Sequence, residues 1–252
     1  MKPSLVDLLA PRLAPLDLEH RLVLARELIP GRIVFTTSFG LEDQFVTHAI
    51  FTRGLDIDVA TLDTGRMFPQ TYDLWERTEA RYARHIAAVY PQPEPLQDWV
   101  REHGVNGFYR ALENRKACCG LRKVEPLGRL LKGASAWITG LRADQSQARG
   151  EVAMVEYDEG HRLVKLNPLL DYKRDDIVAL TEKFDVPVSE LHAQGFLSIG
   201  CAPCTRAVKP GESERAGRWW WEEDAKKECG LHVGDDGVLR RGPAPQHGEA
   251  AK

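Results

Sequence analysis

The chain has 252 residues, 43% of them hydrophobic and 28% charged, enough to bury a substantial core as one large α/β domain or two small ones. Its 34 Lys and Arg against 37 Asp and Glu leave a formal net charge of −3, which argues against general nucleic-acid affinity but leaves room for a local basic pocket. Pro11, Pro15, Asp17 and Glu19 interrupt the N-terminal apolar runs, so no signal peptide or membrane span is expected, and the chain reads as cytoplasmic with no membrane partner. In that reducing compartment five cysteines point to metal or redox work rather than to structural disulfides.

Leu18, Leu22, Ala25 and Ile29 recur at helical spacing before Pro30-Gly31, and the apolar run 32–37 after them predicts a buried strand. A helix over 42–52, a strand over 58–62, a helix over 69–84 and a strand over 85–89 follow. Such alternation predicts a mostly parallel sheet with helices on both faces. Residues 91–95, with three prolines, read as a stiff loop, and short helical stretches then lead past Cys118-Cys119 to a strand over 136–139. Two alternating runs, 152–157 and 163–167, flank Asp158-Glu-Gly-His161 as a β-hairpin at a sheet edge, and a helix spans 173–184. There is no internal repeat. Residues 1–221 are expected to form one domain, with a mobile tail over 222–252 whose end is disordered.

Five cysteines divide as an adjacent pair, Cys118-Cys119, a Cys-x-x-Cys at Cys201 and Cys204, and a lone Cys229. Four thiolates suit an iron–sulfur cluster or a structural zinc, and ligand type alone leaves both open. The lone thiol suits covalent chemistry, since Lys226 and Lys227 beside it favour the thiolate. Ser38, Gly40 and Asp43 lie between a predicted strand and helix, where they can cap the helix or bind an anion. Leu62-Asp63-Thr64-Gly65 ends the next strand, on the edge where open α/β sheets hold ligands. No Gly-x-x-x-x-Gly-Lys-Ser/Thr is present, so an ordinary P-loop NTPase is not supported. Arg142 and Arg149 follow a predicted strand, and Arg215 and Arg218 are spaced to share one helical face, so all four are candidates for holding an anion. The Trp219-Trp220-Trp221 run is expected to pack the base of the tail onto the domain.

The two loops resemble the phosphate loop and Leu-Asp-Thr-Gly element of the adenine-nucleotide α-hydrolase-like families, which implies an adenine-nucleotide ligand. Cys-Cys followed by Arg and Lys, then Cys-x-x-Cys, then Glu-Cys-Gly-Leu-His resembles the iron–sulfur branch of the sulfonucleotide reductases, which act on adenosine 5′-phosphosulfate (APS). The resemblance covers about residues 32–232. It implies a [4Fe-4S] cluster on Cys118, Cys119, Cys201 and Cys204, with Lys123 between cluster and substrate. Cys229 would be the nucleophile, His232 would stand in the active site, and Arg215 and Arg218 would bind substrate, with Arg149 a better candidate than Arg142. Thioredoxin or a similar dithiol is the implied reductant, in sulfate assimilation, and a homo-oligomer is a family-level expectation. Relatives acting on 3′-phosphoadenosine 5′-phosphosulfate (PAPS) generally lack the cluster, so a PAPS or dual-specificity enzyme is the near alternative. A metal-bearing, nucleotide-dependent RNA-modifying protein is the distant one.

Overall fold

The structure is a computed structural model and describes residues 2–145 and 152–222. Six strands form one sheet: β1 (Ile33–Thr37), β2 (Asp58–Leu62), β3 (Ala87–Val89), β4 (Ala136–Ile138), β5 (Val155–Asp158) and β6 (Leu163–Leu166). Their spatial order is β3-β2-β1-β4-β6-β5, parallel throughout except that β5 pairs antiparallel with β6 at the edge. The central strands are short apolar runs because both of their faces are covered.

Helices α1 (Lys2–Leu13), α2 (Leu18–Leu28), α3 (Leu41–Thr52), α4 (Pro69–Tyr82) and α8 (Arg174–Lys183) contribute to a core that includes Phe35, Val59, Ile138 and Val164. The other face carries Val34, Ala60 and Trp137 against Leu127, Leu130 and Leu131 of α7 (Glu125–Leu131). Between these helices in chain order lie α5 (Pro93–His103) and α6 (Leu112–Cys119), which frame a third apolar cluster around Trp99, Phe108 and Trp219. Among the described residues, no helix is long and apolar enough to cross a membrane.

One expectation changes, and one helix was not anticipated. Residues 91–95 are not all loop: Pro93 and Pro95 open α5, where the first amides of a helix have no intrahelical acceptor and a proline costs nothing. Helix α1 was hidden by Pro11, which lies inside it, while Leu9 and Leu13 of the same helix reach the core.

The N-terminal helices are clasped to the sheet by Arg21, which is 2% exposed. Its guanidinium donates to the carbonyls of Leu13, Ala14 and Pro168 and to both carboxylate oxygens of Asp171, at 2.6 to 3.1 Å. Arg21→Met should destabilise the fold by about 3 kcal/mol, read from the urea midpoint, because the carbonyls it serves are left unpaired. Hydrogen bonding from Arg21 holds the Asp171 carboxyl below its usual 3.8, so its stabilisation is present at neutral pH and fades as pH falls through the lowered value. The stability difference between wild type and Asp171→Asn should therefore close in acid.

Candidate active site

The chain adds β2 and β3 to one side of β1 and β4 to the other, so β1 and β4 flank the point where the winding reverses. Loops diverge there at the carboxyl ends of the strands, leaving a crevice. A cavity of about 190 Å³ occupies it, lined by Thr36 and Thr37 of β1, Thr61 and Leu62 of β2, Trp137 of β4 and Thr139 just after it. Ser38, Gly40 and Asp43 also line it, with Gly40 capping α3. The Ser38 amide and hydroxyl both donate to Asp43 Oδ2 at 2.6 Å, which fixes the conformation of the loop. Phe39 takes φ +59, a left-handed turn that costs a side-chain-bearing residue on the order of 1 kcal/mol. Its ring is buried and stacks on Trp75 at 5.6 Å, which holds that turn.

Of Leu62, Asp63, Thr64 and Gly65, Leu62 and Thr64 line the cavity, joined by Met67 farther along the loop. Asp63 Oδ1 instead accepts the Gly65 amide at 2.8 Å and the Tyr72 hydroxyl at 2.9 Å, so it shapes the turn rather than facing a ligand. Burial and the Asp63 carboxylate push the Tyr72 hydroxyl up to about 12.

Helix α6 runs into a π-helical turn, Gly120–Val124, and on into α7. Arg115, Cys118, Cys119, Arg122 and Lys123 recur at helical intervals, so the adjacent cysteines share one face. Opposite them a short turn, Ala202–Cys204, carries the second pair, and the Ala202 amide donates to Arg66 O at 2.8 Å. All four thiols line one small cavity, together with Arg66, Arg115, Arg122, Lys123 and Arg218. None is in a disulfide. As they stand, no three His, Cys, Asp or Glu side chains among the described residues form a group that could hold a single metal ion. What the thiols share is a cavity walled by five cationic side chains, and that donor set and charge fit an anionic four-thiolate cluster.

The thiols differ electrostatically. Burial raises the Cys118 thiol despite Arg122, and burial with neighbouring sulfurs pushes Cys204 up to about 12. Burial would raise Cys201 too, but Lys123, a hydrogen bond with Thr64 at 3.3 Å, Arg218 and Arg122 outweigh it and lower the net value. Lys123, Cys201 and Arg218 line both cavities, so the wall between them is made of two cations and a thiol.

Arg215 and Arg218 both line the larger cavity, but not from a helix. Their segment is a series of turns, and Arg218 forms an antiparallel bridge with Thr205. Packing dictates this: a Cβ at Gly217 would overlap the Arg206 carbonyl, so the two arms of the loop touch. Trp219, at φ +40 and 1% exposed, lies between the guanidinium groups of Arg115 and Arg218, 4.8 and 4.9 Å from its ring centroid. Arg115 also grips Glu222 with both carboxylate oxygens at 2.7 and 2.9 Å.

Arg142, expected on the substrate, is corrected: it has no exposure and does not line the cavity, because Glu42, Asp144 and Glu214 consume its guanidinium. Arg149, Cys229 and His232 lie outside the described residues. Among the lining residues that sequence reasoning missed, two carry a buried polar atom of note. Among the described residues, Thr61 Oγ1 and His192 Nε2 are buried without a hydrogen-bond partner. His192 Nδ1 lies 2.8 Å from the Phe196 carbonyl, which fixes the proton there and leaves Nε2 an acceptor.

Residues 32–207 match the family model for the phosphoadenosine phosphosulfate reductase domain. The chain is 53% identical over 224 residues to the adenosine 5′-phosphosulfate reductase of Sinorhizobium fredii, covering 89% of each chain. The chain belongs to the APS/PAPS (sulfonucleotide) reductase family. It is also 46% identical over 231 residues to the protein of the same name from Allochromatium vinosum, covering 92% of this chain and 90% of that one. Among solved structures it is similar to the PAPS reductase of Candida auris in its phosphate complex, with TM-score 0.67 and 28% identity, over 81% of this chain and 96% of that one. The sheet and its crevice are thus those of the adenine-nucleotide α-hydrolase-like fold, in a family of oxidoreductases.

Proposed function

We propose that the chain reduces APS to sulfite and AMP with electrons from a dithiol protein such as thioredoxin. The observation that supports this most is the shared wall of Lys123, Cys201 and Arg218 between the crevice and the four-thiol cavity. A cationic wall beside the crevice suits a mixed anhydride of sulfate and phosphate. Cys118, Cys119, Cys201 and Cys204 would hold the [4Fe-4S] cluster, which when bound supplies a fixed charge beside Lys123.

The reading assigns the chain's own residues as follows. Ser38, Gly40 and the start of α3 cradle the phosphate end, Leu62 and Thr64 flank the adenosine, and Arg215, Arg218 and Arg149 hold the anionic groups. Cys229, on a tail over 222–252, attacks the sulfate sulfur as its thiolate while His232 stands in the site. The S–O bond to the phosphate breaks, AMP leaves with that electron pair, and Cys229 carries a sulfonate on its sulfur. Arginines stabilise the charge developing on the leaving phosphate. One thiolate of the dithiol then attacks the Cys229 sulfur, sulfite departs with the S–S electron pair, and the second thiol resolves the mixed disulfide. The two electrons come from the dithiol.

Anaerobically purified protein should contain iron and sulfide in equal amounts, about four of each per chain, and release sulfite from APS only when a dithiol is supplied. Protein with neither iron nor APS-dependent sulfite would sink the reading. The Candida auris neighbour favours one second reading, activity on PAPS. Comparing kcat/KM for APS and PAPS decides between them.

A further inference from the structure

The cavity assigned to an anionic nucleotide is itself lined by carboxylates, Glu42, Asp43 and Glu214, alongside Arg215 and Arg218. Uncompensated, those charges would oppose the ligand. Asp43 is committed to Ser38. Glu42 and Glu214 are the open question, since one stands in the first turn of α3 and the other directly precedes Arg215.

Both are served by one buried guanidinium. Arg142 Nε donates to Glu42 Oε1 at 2.7 Å and Nη2 to Glu214 Oε2 at 2.6 Å, while Nη1 meets Asp144. The Glu42 and Glu214 side chains are 10% and 15% exposed, and Arg142 is at zero. A Cβ at Gly140, two residues earlier, would overlap the Asp43 carboxylate, so the loop bearing Arg142 is pressed against α3. Three segments that build the crevice therefore meet on a charge that never touches its surface.

We propose that Arg142 is a positioning residue: a buried counter-ion that keeps Glu42 and Glu214 paired away from the ligand, so that Arg215 and Arg218 face the nucleotide unopposed. This rests on the crevice being the nucleotide site. The groups facing the two carboxylates are Arg142, Asp144, Arg174 at 3.6 Å from Glu214, His192 near Glu42, and Arg215 next in sequence. Burial already holds the Glu214 carboxyl above its usual range against the pull of Arg142, so without Arg142 it binds a proton more readily, and lowering the pH neutralises it and removes its share of the repulsion.

The test is calorimetric titration of AMP into iron-loaded, full-length protein between about pH 6 and pH 8. At the upper end Arg142→Gln should weaken AMP on the order of 30-fold, and the deficit relative to wild type should shrink as pH falls. Adding Glu214→Gln to Arg142→Gln should restore most of the affinity, which the loss of a merely structural arginine would not allow. Glu214→Gln alone keeps an acceptor for Arg142 but removes a charge, and should tighten AMP about threefold. That variant keeps the proposal falsifiable if Arg142→Gln does not fold. A tenfold weakening by Glu214→Gln, or a pH-independent deficit in Arg142→Gln with no rescue, overturns the counter-ion role. Failure of wild type itself to bind AMP overturns the nucleotide reading and this proposal with it.

Discussion

Cys229→Ser is expected to lose sulfite release by at least ~10⁴-fold while retaining iron, sulfide and the brown chromophore. A serine hydroxyl is not ionised near neutral pH, so it attacks the sulfate sulfur poorly. The more fundamental obstacle follows that step. An oxygen-linked sulfonate offers a dithiol no sulfur–sulfur bond to cleave, so a sulfate ester cannot be passed on as sulfite. Labelled APS should therefore leave sulfonate on Cys229 of the wild-type protein and sulfite should appear only on adding dithiol. Label on another residue removes Cys229 from the nucleophile's role. Loss of iron in Cys229→Ser would show instead that the division into four ligands and one nucleophile is mistaken.

The second large effect is steric. A Cβ at Gly200 would sit 2.9 Å from Arg218 Nη1 and closer still to Cζ and Nη2. An arginine tip usually swings aside cheaply, but this one is 6% exposed, donates to Ile199 O at 3.2 Å and lies over Trp219. Gly200→Ala should therefore push the guanidinium out of the wall between the cavities, weakening AMP by about 10- to 100-fold, the equivalent of one or two charged hydrogen bonds. Arg218→Gln should cost about as much, and the double variant little more, because both changes remove the same contact. Strictly additive losses would mean that Gly200 acts by some other route. Iron content, measured on the same preparations, separates displacement of Arg218 from damage to the neighbouring Cys201.

The alternation of β1, α3, β2 and α4 was legible because buried parallel strands are short apolar runs, while Pro30-Gly31 and Gly54 mark where α2 and α3 stop. The edge hairpin of β5 and β6 was legible from its alternation, with boundaries shifted by a few residues. Helix α5 was obscured by prolines that read as breakers inside a helix but are benign in its first turn. The pairing of Cys118-Cys119 with Cys201 and Cys204 could be anticipated only through the family's pattern, since nothing local joins segments so far apart.

Charge was the hardest quantity to read. Arg142 and Arg215 were both candidates for holding an anion, yet one is sealed among carboxylates and the other lines the crevice. Which way a loop arginine turns is decided by the acids that other segments bring to it, here Glu42 and Glu214. For the same reason Thr61 and His192 gave no signal. A buried hydroxyl or imidazole lacking a partner becomes visible only when every surrounding atom has been placed.

The loop that carries Arg218 has a practical use. Its two arms are pinned by the Thr205–Arg218 bridge, by the Arg206 amide donating to Gly217 O at 2.9 Å, and by the Arg206–Glu212 ion pair at 2.7 Å. Its tip, at Lys209, Pro210 and Gly211, is exposed. A tip open to solvent above a pinned base tolerates added bulk. An environment-sensitive dye attached there would ride on the segment that brings Arg215 and Arg218 to the crevice, so that ligand binding at the crevice would become an optical signal without altering a residue that lines it.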